Sequence, residues 1–255
     1  MRAMPRPLTS LETPLLALFC SLDVLTTGGR VEPSTYAQLE ALAEAIPIFV
    51  VTRRPAGWGH ALASVCGLPV VSENGAVLFL PNEDEPIIVH LVEPETVAAW
   101  SERTARAVAD VCRAVPGVEP SSDNAFRRVD RALTWRGAAP AGLADAEARL
   151  RGEGFEVRRS SRALHVGPPG CTRERAVRQL VEKLMRSEPG DLSPYLYVGA
   201  DIDDDEMFGI FEHSVAAGDL AGRLDALASK PAYVVDAAGG AAIRAVAAHL
   251  LSLYA

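Results

Sequence analysis

Three short apolar runs stop abruptly in polar residues, and those residues are the chain's candidates for chemistry. Residues 15–20 lead into Ser21-Leu22-Asp23, and 46–51 lead into Thr52-Arg53-Arg54. Residues 195–198 lead into Gly199-Ala200-Asp201-Ile202-Asp203-Asp204-Asp205-Glu206. Unbroken apolar runs of this length read as buried parallel strands, and open α/β sheets bind ligands beyond the carboxyl ends of their strands. The three clusters are therefore expected along one sheet edge. An acidic turn facing Asp23 is costly there unless a cation lies between, and Mg²⁺, which takes oxygen ligands from one or two carboxylates, is the natural choice. The competing reading of residues 201–206 is a helix start whose acids cap the first turn and favour its dipole.

The elements that must hold these clusters alternate. After the first run, Pro33 opens a helix with Tyr36, Leu39, Leu42 and Ala43 at helical spacing. A helix over 57–65 and a strand over 69–71 follow, and Ser72-Glu73-Asn74-Gly75 is an Asn-Gly hairpin signal leading into 76–80. Strand alternating with helix predicts a doubly wound parallel sheet. The pattern changes over 83–162, where strands at 86–92, 131–136, 155–159 and 163–166 surround helices at 95–115 and 143–153, an inserted α+β module. From Cys171 the alternation resumes, with Thr172 placed to cap a helix over 175–185, strands at 195–198 and 232–235, and a last helix over 240–254. The expected organisation is a loose tail over 1–13, a core of 14–82 with 163–255, and an insert over 83–162.

Composition narrows the function classes. A formal charge of -8 argues against a nucleic-acid surface, and 49% hydrophobic with 23% charged residues is globular. No run of about 18 apolar residues reads as a membrane span. The four cysteines, Cys20, Cys66, Cys112 and Cys171, lack metal-type pairing and read as reduced, buried thiols of a cytoplasmic protein. Arginines 127, 128, 131, 136, 158, 159 and 162 of the insert read as solvated surface charge, or as groups that hold an anionic ligand by bidentate pairing. The five histidines lack motif spacing and read as structural, and core packing is the default for Trp58, Trp100 and Trp135.

In order and spacing, these clusters resemble the haloacid dehalogenase (HAD) superfamily, specifically its type IIB sugar-phosphatase branch. That branch includes mannosyl-3-phosphoglycerate, sucrose and trehalose-6-phosphate phosphatases and the Cof-type hydrolases. The opening Asp-Leu-Asp-Gly-Thr-Leu motif aligns with Ser21-Leu22-Asp23-Val24-Leu25-Thr26, and the Thr/Ser-Gly-Arg-Pro motif with Thr52-Arg53-Arg54-Pro55. The Glu-Asn-Gly-Ala turn is intact as Glu73-Asn74-Gly75-Ala76; the Asp-Lys-Gly-x-Ala helix start aligns with Thr172-Arg173-Glu174-Arg175-Ala176. The final acidic motif aligns with residues 199–208. The resemblance implies a HAD-like core with the insert as a C2-type cap. It implies Mg²⁺ held by acids such as Asp201, Asp204 and Asp205, phosphate held by Thr52, Arg54 and Arg173, and a small phosphorylated ligand.

The departures fall on the chemical centre. In the family the first Asp of the opening motif attacks phosphorus and the second serves as acid and base; here the first position is Ser21, while Asp23 keeps the second. A serine hydroxyl is neutral near pH 7 and needs an adjacent base, whereas a carboxylate is already ionised. Ala200 stands at a further ligand position, Arg173 at the lysine position, and Val24 and Arg53 at flexible glycine positions. The expected function is a phosphatase homologue, inactive or very weak, retained to bind a ligand or a protein. The alternative is an active Mg²⁺-dependent phosphomonoesterase, or altered chemistry that uses Asp23 as acid and base.

Overall fold

The computed structural model describes residues 4–93, 96–160, 163–185, 188, 190–220 and 222–254. In chain order the first elements are β1 (Arg6–Pro7), β2 (Ala17–Ser21), α1 (Pro33–Ala43), β3 (Ile48–Val51) and α2 (Ala56–Cys66). Next come β4 (Val70–Ser72), β5 (Val77–Leu80), β6 (Ile87–His90), α3 (Val97–Ala114), β7 (Val118–Pro120) and β8 (Arg131–Trp135). Then follow α4 (Leu143–Gly152), β9 (Glu156–Arg159), β10 (Ala163–Gly167) and α5 (Arg173–Leu184). The chain closes with β11 (Tyr195–Gly199), α6 (Asp205–Ile210), β12 (His213–Ala216), β13 (Tyr233–Val234) and α7 (Gly239–Tyr254). The fold class is α/β with a parallel-dominated sheet, as the alternation predicts. Contacts divide it into two compact units, Met1–Val51 with Val177–Ala255, and Thr52–Ala176.

In the first unit the strands run in the order β1-β13-β12-β11-β2-β3, and every pair is parallel. All five residues of β2 are buried, which is why the run carries no alternation. Phe19 stacks on Phe49 with ring centroids 5.1 Å apart and meets Phe211 at 5.5 Å; Tyr197 stacks on Phe211 at 5.5 Å. This aromatic layer fixes β2 beside β3 and β11, and α1 packs against α7. Strand β12 escapes the sequence reading because His-Ser-Val-Ala is too short to show a pattern, yet it is the bridge between β11 and β13.

The expected loose tail is a correction. Arg6 and Pro7 pair with Tyr233 and Val234, Arg6 Nη2 donates to Tyr233 Oη at 3.0 Å, and Leu8 and Leu11 are buried. Two apolar side chains and an open edge at β13 hold this segment in spite of the breaks at Pro5 and Pro7. Residues 1–3 of that tail lie outside the described residues.

In the second unit β4, β5 and β6 form an antiparallel meander around the Glu73–Gly75 turn, in agreement with the hairpin signal. A four-stranded antiparallel sheet, β7-β8-β10-β9, packs its apolar face on α3 and α4 through Leu133, Trp135, Leu164 and Val166. Trp58 is a further correction: it is 45% exposed rather than a core residue. It sits in the first turn of α2, where the next residue, Gly59, packs against Ser72 and Phe79 and so turns that face inward instead. Residues 95 and 162, the expected start of the long helix and the last of the arginines, lie outside the described residues.

Candidate functional site

In the first unit, register brings the expected residues to one level. Val198 pairs with Cys20, and Ser21 with Val51, so β2, β3 and β11 end together. Ser21 is 3% exposed, and its Oγ has no hydrogen-bond partner among the described residues. Asp23 is exposed on the 3-10 turn Leu22–Leu25 that follows. The neighbouring Cys20 thiol is pushed up to about 12, by burial first and then by the charge of Asp204, and stays protonated.

The acidic turn after β11 spends its carboxylates on the chain. Asp204 is buried; its Oδ1 accepts from Tyr197 Oη at 2.8 Å, and its Oδ2 accepts from the amides of Ala200 at 2.9 Å and Asp201 at 3.2 Å. Asp201 caps the turn through Oδ1, which accepts from Asp203 N at 3.1 Å, completing a reciprocal capping box with Asp204. Asp205 Oδ1 accepts from Ser229 N at 2.7 Å. Gly199 permits this: a Cβ there would lie 2.7 Å from Asp204 Oδ2 and 2.8 Å from Phe208.

Only part of the expected donor set is left open to a resident Mg²⁺, since these bonds use both oxygens of Asp204 and one oxygen each of Asp201 and Asp205. Ala200 offers no side-chain oxygen, Asp204 has two carboxylate oxygens already holding three donors, and Asp201 and Asp205 each hold an amide. Among the described residues no group of three His, Cys, Asp or Glu side chains is placed to hold a metal ion. The helix-start reading of this turn is the one its hydrogen bonds match.

The second unit gathers the remaining candidates around one turn. Glu73 and Asn74 both take left-handed backbone, φ 52° and 56°, and Gly75 follows at φ 100°. A Cβ on Gly75 would lie 2.4 Å from Thr172 O, the residue that caps α5 through Arg175 N at 3.1 Å. Arg173, next along, is 3% exposed. The loop before α2 is held from the same turn: Glu73 N donates to Arg54 O at 3.0 Å. Ala56 N donates to Glu73 Oε1 at 2.9 Å, and Arg54 N to Thr52 Oγ1 at 3.1 Å. Thr52 is buried and Arg54 is exposed. Thr52, Arg54 and Arg173 are thus set on segments that share one anchor.

That anchor also holds a buried ionic network that sequence reasoning missed. Glu73, fully buried, accepts from the amides of Arg128 (2.7 Å), Val129 (2.8 Å) and Asp130 (3.1 Å) as well. Asp130 accepts from Asn74 Nδ2 at 3.0 Å and from Arg127 Nη1 at 2.7 Å. Arg127 also pairs in bidentate fashion with Asp123 at 3.1 and 3.0 Å, and donates to Arg53 O at 3.2 Å. His165 Nδ1 lies 3.8 Å from Asp130 Oδ2. Arg127 is therefore not solvated surface charge: its side chain is 2% exposed. Burial and then the Asp130 charge push the Glu73 carboxyl up to about 7, against the pull of its amide donors. Asp130, which burial alone would raise, is held below the usual carboxylate range by Arg127 and His165. Glu73 was visible in sequence only as part of the Glu-Asn-Gly-Ala motif, and Asp130 carried no signal.

No protein-family model and no curated protein matches this sequence. Solved structures do match. A Thermoplasma acidophilum protein superposes with TM-score 0.71 at 15% identity, covering 94% of this chain and 100% of its own. The sucrose-phosphatase of Synechocystis, solved with sucrose and phosphate, gives 0.65 at 17% identity, covering 93% and 98%. Trehalose-6-phosphate phosphatase from Aspergillus fumigatus gives 0.63 at 16%, covering 98% and 100%. The chain has the HAD-like fold of these sugar phosphatases, as its motif order implied.

Proposed function

We propose that the chain binds a small phosphorylated ligand, of the sugar-phosphate class, and hydrolyses it weakly or not at all. The observation that carries this reading is Ser21 Oγ: at the nucleophile position it is buried and has no hydrogen-bond partner among the described residues. A serine nucleophile requires a base within about 2.6–3.2 Å to take its proton. Asp23 keeps the acid-base position, but the residue it would assist has no ionised oxygen to attack with. Thr52, Arg54 and Arg173 hold the phosphoryl oxygens: Thr52 Oγ1 already accepts from Arg54 N, which leaves its hydroxyl proton to donate. In this reading residues 83–162 serve as the cap over the ligand, and no catalytic step runs through Mg²⁺. That the sucrose-phosphatase with this fold was solved with sucrose and phosphate supports the ligand class.

The test is turnover and binding measured together. Purified protein, with and without Mg²⁺, should hydrolyse p-nitrophenyl phosphate and a sugar-phosphate panel at background while being stabilised by at least one panel member in a thermal-shift series. Robust turnover that vanishes in Asp23→Asn overturns the inactive reading in favour of an enzyme. Absence of both turnover and binding overturns the phosphorylated ligand.

A further inference from the structure

We infer that Glu73 is a positioning residue for the phosphate-holding loop, clasping residues 52–56 to the segment 128–130, so that ligand binding at Thr52 and Arg54 is felt at Arg128, Val129 and Asp130. The inference rests on the phosphate role proposed for that loop. One carboxylate accepts four backbone amides drawn from two distant segments, Ala56 from one and Arg128, Val129 and Asp130 from the other. The loop has further ties on both sides: Thr52 N donates to Val71 O at 2.8 Å, Glu73 N to Arg54 O at 3.0 Å, and Arg127 Nη1 to Arg53 O at 3.2 Å. Among these, only the Glu73 carboxylate joins the loop directly to the 128–130 amides.

The arrangement is expensive for a simple hairpin. Two consecutive non-glycine residues in left-handed backbone are strained, and a fully buried carboxylate adds desolvation. A two-residue primed turn would join β4 to β5 with its positive φ carried by asparagine or glycine and with no carboxylate buried. Such strain persists where surrounding structure over-determines it, and here the surrounding structure is the loop, the 127–130 segment and the start of α5. With the main chain of Arg53, Arg54 and Ala56 fixed, the Thr52 hydroxyl is presented without further ordering, which is how preorganisation raises affinity.

The experiment uses the full chain, inorganic phosphate as probe, and Glu73→Gln. Glutamine keeps the volume but turns one acceptor oxygen into a donor against two of the four amides. Titration calorimetry should show phosphate binding about tenfold weaker in the folded variant, the scale of one lost charge-assisted hydrogen bond. In the wild type, phosphate should slow amide exchange at Ala56 and also at Arg128, Val129 and Asp130; in the variant the slowing at 128–130 should disappear. A purely structural glutamate would lower thermal stability while leaving the phosphate affinity of folded protein unchanged, and that result overturns the inference. Glu73→Asp retains charge with a shorter reach; it should fall between the two and serves where the glutamine variant does not fold. If the wild type binds no phosphate, the proposed function falls instead. The clasp is then judged on ligand-free exchange: a rise in the variant confined to Ala56 and 128–130 upholds it, and a uniform rise across the unit or no change refutes it.

Discussion

Replacing Arg127 with Met tests the buried network most directly. Arg127 is 2% exposed at its side chain and Asp130 is 1% exposed, and they meet at 2.7 Å. Methionine matches the length of the stem but leaves the Asp130 carboxylate buried beside Glu73 without its guanidinium partner, with His165 Nδ1 at 3.8 Å. Removing one partner of a buried pair costs about 3–5 kcal/mol, chiefly the desolvation of the charge left behind. Asp123 is partly exposed and recovers water, so the cost concentrates on Asp130. Asp130→Asn removes the charge but keeps an acceptor for Arg127, and should cost only about 1–2 kcal/mol. The double variant should then cost less than the sum, with a coupling of about 2 kcal/mol. All three tryptophans, Trp58, Trp100 and Trp135, lie in the unit Thr52–Ala176, so urea unfolding followed by tryptophan fluorescence reports on that unit. The pH dependence gives an independent check. The lowered carboxyl of Asp130 contributes stability present above its unfolded value and lost as pH falls through its folded one. In Arg127→Met burial governs Asp130, and the slope should reverse, stability falling as pH rises. A cost under about 1 kcal/mol with an unchanged slope would refute the argument.

Glu73 carries the opposite pH signature in the wild type: its carboxyl, raised to about 7 from 4.5, contributes stability that is complete below the unfolded value and lost as pH rises through the folded one. Urea midpoints measured from pH 4.5 to 7.5 should therefore contain a component that vanishes in Glu73→Gln; persistence of that component would place it elsewhere. Asp204→Ala should destabilise the other unit by about 2–3 kcal/mol, because Tyr197 Oη and the amides of Ala200 and Asp201 lose their acceptor together. Calorimetric melting showing a shift below about 2 °C would mean that water replaces the carboxylate.

Much of the fold was legible because parallel strands buried on both faces write themselves as apolar runs. The apolar runs 15–20, 46–51 and 195–198 marked the strands observed at Ala17–Ser21, Ile48–Val51 and Tyr195–Gly199, and the Asn-Gly signal marked the β4–β5 turn. Strand β12 was not legible, since four residues with two polar ones carry no period. The packing of residues 6–11 was hidden because its cause, an unpaired edge at β13, lies more than two hundred residues away. Arg127 read as surface charge or as an anion holder because the segments that bury its partner Asp130, Glu73 and Asn74, lie far from it in sequence.

The amino-acid sequence by itself determined the order of the motifs, the strand ends on which polar residues stand, and the serine at position 21. These are properties of residue identity and local period. Tertiary structure decided what the acids do. Asp201, Asp204 and Asp205 could equally have faced a cation or a helix start; both oxygens of Asp204 accept from Tyr197 and backbone amides, and one oxygen each of Asp201 and Asp205 accepts from an amide. Glu73 passed in sequence for a turn marker and became the acceptor for four amides. A carboxylate's role depends on which donors surround it and on how much water remains, and both are set by segments far from it along the chain.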